Sequence, residues 1–172
     1  MTITVRSQFQ ATGRYGEEVY DFDTTSTTTI KDIKTNLNDK FIFGDDLDSN
    51  QYEIKAFKLI PNAPADIILL SDEDIVEDIL NRGYQRQFIL NVKLKIKLDI
   101  PYCRFNTLYL YTYDDNDVIY EKVKQIIYDK RHHNLQTMTA YYGSKNIDNS
   151  ISIFGIYNNS TLDIYYTSDE FW

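Results

Sequence analysis

From Phe88 to Leu98 the chain carries no glycine, serine or proline. Gln87-Phe88-Ile89-Leu90-Asn91-Val92 is strand-forming, and beyond it Leu94, Ile96 and Leu98 alternate with Lys93, Lys95 and Lys97, the period of two that marks a strand with one buried face. The last strand of one unit is therefore expected to run almost directly into the first strand of the next. A flexible tether would let two units find partners independently, whereas so short a junction couples them stiffly and offers one composite surface to a single partner.

The elements on either side of this run follow the same order. Ile3 and Val5, then Val19, Tyr20 and Phe22, predict a hairpin around a turn containing Gly13 and Gly16. The helix-capping run Thr24 to Thr28 follows, and Ile30, Ile33 and Leu37 fall at spacings of three and four, which predicts a short amphipathic helix. Asp45–Asn50 reads as an acidic loop and Tyr52–Leu59 as a strand broken by Pro61 and Pro64. Ile67–Leu70 is a short apolar strand, Asp72–Leu80 a brief capped helical turn, and Gln87–Val92 closes the unit. Beyond the junction, Leu94–Leu98 and Leu108–Tyr113 predict a second hairpin, around a turn with Pro101. A second helix places Ile119, Val123, Ile126 and Ile127 on one face.

Bulk properties fit one medium domain or two small ones. The 172 residues, 42% apolar and 15% aromatic, can fill real cores. A net charge of −8 argues against a dedicated nucleic-acid binder, whose footprint is basic. The charge is uneven: 16 acidic against 9 basic side chains up to Val92, and 10 against 9 after it. A single cysteine, Cys103, excludes an internal disulfide framework and suits a reducing, cytoplasmic setting. No apolar run reaches the ~20 residues of a membrane helix, and the alternating Met1–Arg6 predicts that the chain begins with a strand rather than a signal peptide.

The segment from Val118 to Tyr166 resembles the second half of ubiquitin. It offers helix Ile119–Lys130, a strand and tight turn through Thr139-Ala140-Tyr141-Tyr142-Gly143-Ser144-Lys145, and then Ile147, Ile151 and Ile156–Ile164. The spacing matches except for about two residues missing in the loop before Ile151. In the first half the order of elements and the rhythm Asp74-Ile75, Ile79-Leu80, Phe88-Ile89-Leu90 carry the likeness. The resemblance implies an α+β chain of two tandem ubiquitin-like β-grasp domains, ββαββ with a short helix each. They would span residues 1–92 and 93–172, the second ending in a tail over 167–172. Two-domain ubiquitin-like modifiers, the interferon-induced kind and its bacterial counterparts, share this layout.

The residues themselves show no catalytic constellation. His132 and His133 are adjacent, so regular structure points them apart, and no Cys or acidic pair spaced for a metal lies close in sequence. Cys103 neighbours Arg104, a group that lowers a thiol pKa, but lacks a placed histidine. The runs Asp45-Asp46-Leu47-Asp48 and Asp114-Asp115-Asn116-Asp117 lack the glycine and distal glutamate of a calcium loop. No enzyme, cofactor or metal is expected.

Fifteen tyrosines and nine phenylalanines exceed what two small cores hide comfortably, so some rings are expected on the surface. The resemblance puts Tyr141, Asp163 and Tyr165 on the face that ubiquitin-like domains use for docking, with rings and an acid in place of an aliphatic patch. It puts Lys145 after the turn where ubiquitin has a chain-linking lysine. Tyrosines chosen merely for strand propensity are the alternative. The tail Thr167–Trp172 has bulky Phe171 and Trp172 where a modifier has its glycine pair. Asp169-Glu170-Phe171-Trp172 reads either as a docking peptide or as a tryptophan tucked back on the sheet. The expected function is non-catalytic protein recognition, as adaptor or assembly subunit, with no nucleic-acid or membrane partner. The alternative is a two-domain modifier with an atypical C-terminus, served by conjugation enzymes or a deconjugating protease.

Overall fold

The computed structural model describes residues 1–7, 18–40, 47–111, 114, 116–147 and 157–169. Among these the chain is α+β, with nine strands and three α-helices. The described residues up to Lys93 pack as one unit and those from Leu94 on as a second, a boundary one residue later than the expected one.

In the first unit, β1 (Thr2–Ser7) and β2 (Glu18–Asp23) pair antiparallel. Alternation buries Ile3 and Val5. On the outer face the Thr2 and Thr4 hydroxyls donate to the carboxylates directly across the ladder, Asp23 at 3.1 Å and Asp21 at 2.9 Å. Helix α1 (Ile30–Lys40) begins where Thr29 and Asp32 cap each other. The Asp32 N–H donates to Thr29 Oγ1 at 3.2 Å, and the Thr29 N–H to Asp32 Oδ2 at 2.9 Å. The helix buries Ile30, Ile33 and Leu37 as their spacing requires.

Strands β3 (Tyr52–Lys58) and β4 (Asp66–Leu69) are antiparallel. Between them the turn at Pro61 and Asn62, the latter at φ 57°, interrupts the ladder. Helix α2 (Val76–Asn81) ends at Gly83, whose φ of 93° suits a residue without a Cβ. Strand β5 (Gln87–Ile100) pairs parallel with β1 and antiparallel with β3, so the strand order is β2-β1-β5-β3-β4.

Strand β5 crosses the boundary without a break, as the uninterrupted strand pattern predicted. Its C-terminal part belongs to the second unit, with β6 (Arg104–Tyr111), α3 (Asn116–Arg131), β7 (Leu135–Tyr142), β8 (Lys145–Ile147) and β9 (Thr161–Ser168). There β5 and β9 are parallel, β9 and β7 antiparallel, and the order β6-β5-β9-β7-β8 repeats that of the first unit. The inward positions Leu94, Ile96, Leu98, Leu110, Ala140, Leu162 and Ile164 are buried, as are Ile119, Val123 and Ile127 of α3, one turn apart.

Three details differ from expectation. Strand β6 starts at Arg104 rather than Leu108, because Tyr102 and Arg104 adopt φ of 66° and 61° and reverse the chain within a short turn. Helix α3 starts at Asn116, ahead of Ile119. Residues Thr167 and Ser168, expected in the tail, are strand: they pair with Thr137 and Leu135. Asp169 then fastens the strand's end. Its carboxylate accepts from the Asn134 N–H at 2.5 Å and from Asn134 Nδ2 at 2.9 Å, and its own N–H donates to Asn134 O at 3.1 Å. The short helix expected in the second unit, Ile151, Ile156, Phe171 and Trp172 lie outside the described residues.

Candidate docking face

Strands β7 and β9 pair with Tyr141 opposite Asp163, Ala140 opposite Ile164 and Thr139 opposite Tyr165. Since Ala140, Leu162 and Ile164 point into the core, the period of two puts Thr139, Tyr141, Asp163 and Tyr165 together on the outer face. Tyr141 and Tyr165 are diagonal neighbours, and their rings meet edge to face with centroids 5.5 Å apart at 86°. Tyr165 is 61% exposed even so. The β7–β8 turn closes one end through Gly143 and Ser144, and Gly143 holds a φ of 61°. A Cβ at Gly143 would meet nothing within 4 Å, so the backbone angle rather than space calls for glycine. Together these residues line a shallow, open depression of about 390 Å³.

The structure thus brings Tyr141, Asp163 and Tyr165 into one site. Lys145 is exposed on β8, opposite Tyr142, and does not line the depression. Phe171 and Trp172 have no described position.

The remaining aromatic surplus divides by face. Tyr166, next to Tyr165, turns to the other side of the strand, where its hydroxyl donates to Pro101 O at 3.0 Å and accepts from Arg131 Nη1 at 3.2 Å. Tyr52 and Tyr84 are buried, with hydroxyls donating to Asn38 and Asp66. Tyr102, Tyr109, Tyr128 and Tyr157 are exposed with Tyr165. On β9, strand geometry, which alternates side chains between faces, makes Tyr166 structural and leaves Tyr165 on the outer face.

The groups considered for chemistry are dispersed. Cys103 is 3% exposed, and Lys130 Nζ donates to its carbonyl at 3.2 Å. His132 follows α3 at φ 57°, its ring edge-on to Tyr128. Among the described residues the buried Nδ1 atom of half-buried His133 has no hydrogen-bond partner. Among the described residues no three of His, Cys, Asp and Glu gather as a metal site, and no helix is long and apolar enough to cross a membrane.

Two features were not singled out from the sequence. Asp99 on β5 is the lateral neighbour of Asp163 in the parallel ladder, a relation that exists only once distant strands pair. Ile67 and Leu69 point outward from β4, and Leu59 and Ile60, just beyond β3, are exposed as well. A continuous apolar run such as Ile67–Leu70 carries no alternation that would show which side faces water. A comparison with protein-family models finds no match for this chain, and neither does one with curated proteins.

Proposed function

We propose that the chain is a pair of tandem ubiquitin-like β-grasp domains that acts without catalysis, through protein–protein recognition, as an adaptor or assembly subunit in the cytoplasm. Support comes from the topology. Each unit sets a hairpin beside a parallel pairing of its first and last strands, and continues into an antiparallel pair at the far side. The order of elements that carried the resemblance in the second half occurs in both. The observation that carries the functional reading is the Tyr141–Tyr165 ring pair beside Asp163, with Tyr141 half-buried and Tyr165 exposed. Paired rings on an open sheet face are rigid, amphipathic anchors of the kind that dominate interfaces.

The test is affinity capture from native cells with an N-terminal tag, comparing the parent chain with the double variant Tyr141→Ser, Tyr165→Ser. A stoichiometric partner recovered by the parent and lost by the variant, with thermal stability kept, supports docking at this face. Undiminished recovery by the variant removes the site from the proposal. The same experiment addresses the second reading, a two-domain modifier, which is favoured by the repeated unit and by exposed Lys145 beyond the turn. Covalent ladders that survive denaturation and carry a lysine-linked remnant would install conjugation enzymes and a deconjugating protease as partners in place of an adaptor's target.

A further inference from the structure

Asp99 and Asp163 are neighbours across the parallel β5–β9 ladder, on strands about 4.8 Å apart. Both are partly exposed, and the flanking Leu98, Ile100, Leu162 and Ile164 point into the core. Both carboxylates therefore lie on the outer face, where adjacent like charges repel. Among the described residues neither forms an ion pair or a hydrogen bond through its carboxylate. The nearby basic group on the same strand face, Lys97, sits over the Phe105 ring at 5.3 Å, and Lys95 lies one step further along. From β7 the groups facing Asp163 are Thr139 and Tyr141, which carry no charge to oppose it at neutral pH.

On its other flank Asp163 meets the Tyr141–Tyr165 pair. Aromatic faces attract cations, and carboxylates do so more strongly. A guanidinium answers both: it is planar, lies against rings, and forks its donors toward two acceptors, whereas an ammonium is a compact, strongly hydrated point charge. The open depression of about 390 Å³ has room for one long side chain. We infer that this face receives an arginine side chain from a protein partner, its guanidinium against the Tyr141–Tyr165 rings and facing the carboxylates of Asp163 and Asp99. The inference rests on reading the face as a docking surface and names the group that surface selects.

The test is amide chemical-shift titration of the full ¹⁵N-labelled chain with the blocked peptide acetyl-Gly-Arg-Gly-amide. Peptides with lysine or citrulline in place of arginine, and calcium chloride, serve as competitors. The expected result is saturable shifts centred on Tyr141, Asp163 and Tyr165, about tenfold weaker with citrulline, weaker with lysine, and lost in Asp163→Asn while the rest of the spectrum is retained. No shifts at these residues, equal shifts with citrulline or lysine, or a response to calcium alone at Asp99 and Asp163 would overturn the inference. Capture separates the two ideas. A partner lost with the Tyr141→Ser, Tyr165→Ser pair but kept by Asp99→Asn, Asp163→Asn leaves the docking face standing and removes the arginine. A partner kept by both variants removes the docking reading and, with it, the arginine that a partner would supply.

Discussion

Tyr165 and Tyr166 are adjacent residues of one type with opposite roles. The Tyr166 hydroxyl bridges Pro101 and Arg131, tying β9 to the β5–β6 turn and to the end of α3. The Tyr165 ring contacts Tyr141 and water. Removing a hydroxyl that makes two hydrogen bonds, one of them to a charged group, costs about 1–2 kcal/mol, and removing a solvated one costs almost nothing. Tyr166→Phe is therefore expected to lower the urea midpoint clearly, and Tyr165→Phe to leave it within error. An equal effect of the two would show that the Tyr166 bridge contributes little in solution.

At the scale of elements, short charge-assisted links hold helix to turn and a strand's end to a loop. In the first unit Lys34 Nζ of α1 donates to Asp72 at 2.7 Å, and the Ser49 hydroxyl donates to the same carboxylate. In the second, Asp169 clasps Asn134. The hydrogen bond from Lys34, then that from Ser49, hold the Asp72 carboxyl below its ordinary value, and the Asn134 side chain and backbone do the same for Asp169. The unfolded chain, with carboxyls near 3.8, then binds more protons than the folded one as acid is added. The stabilisation is present above that value and is lost as pH falls through the lower folded values. Measured as denaturant midpoint against pH, Asp72→Asn should flatten the acid limb. At neutral pH Asp72→Ala should cost about 1 kcal/mol, less than for a fully buried pair because solvent still screens the site.

Across the whole molecule, each unit owns a core although both use β5. Ile54 and Ile3 fill the first, Ile164 and Ile119 the second, all essentially inaccessible to water. Ile54→Ala and Ile164→Ala should each cost about 2–4 kcal/mol. Amide hydrogen exchange is expected to show lost protection confined to the unit that carries the change; loss spread over both would mean that the shared strand makes them one cooperative body. Much of this was legible in the chain. Period-two alternation, the three-and-four spacing of Ile30, Ile33 and Leu37, and the breakers at Pro61 and Gly143 are local signals, because hydrophobic burial and backbone sterics act over a few neighbours. The strand through Phe88–Leu98 followed from the same rule. Asp99 beside Asp163, the outward turn of Ile67 and Leu69, the clasp of Asp169 on Asn134 and the division of labour between Tyr165 and Tyr166 did not. Each depends on which distant strand pairs with which, and in what register. The sequence by itself determined the order and type of elements and the presence of surplus rings; only the tertiary structure decided which rings and carboxylates share a face, because register places residues far apart in the chain side by side.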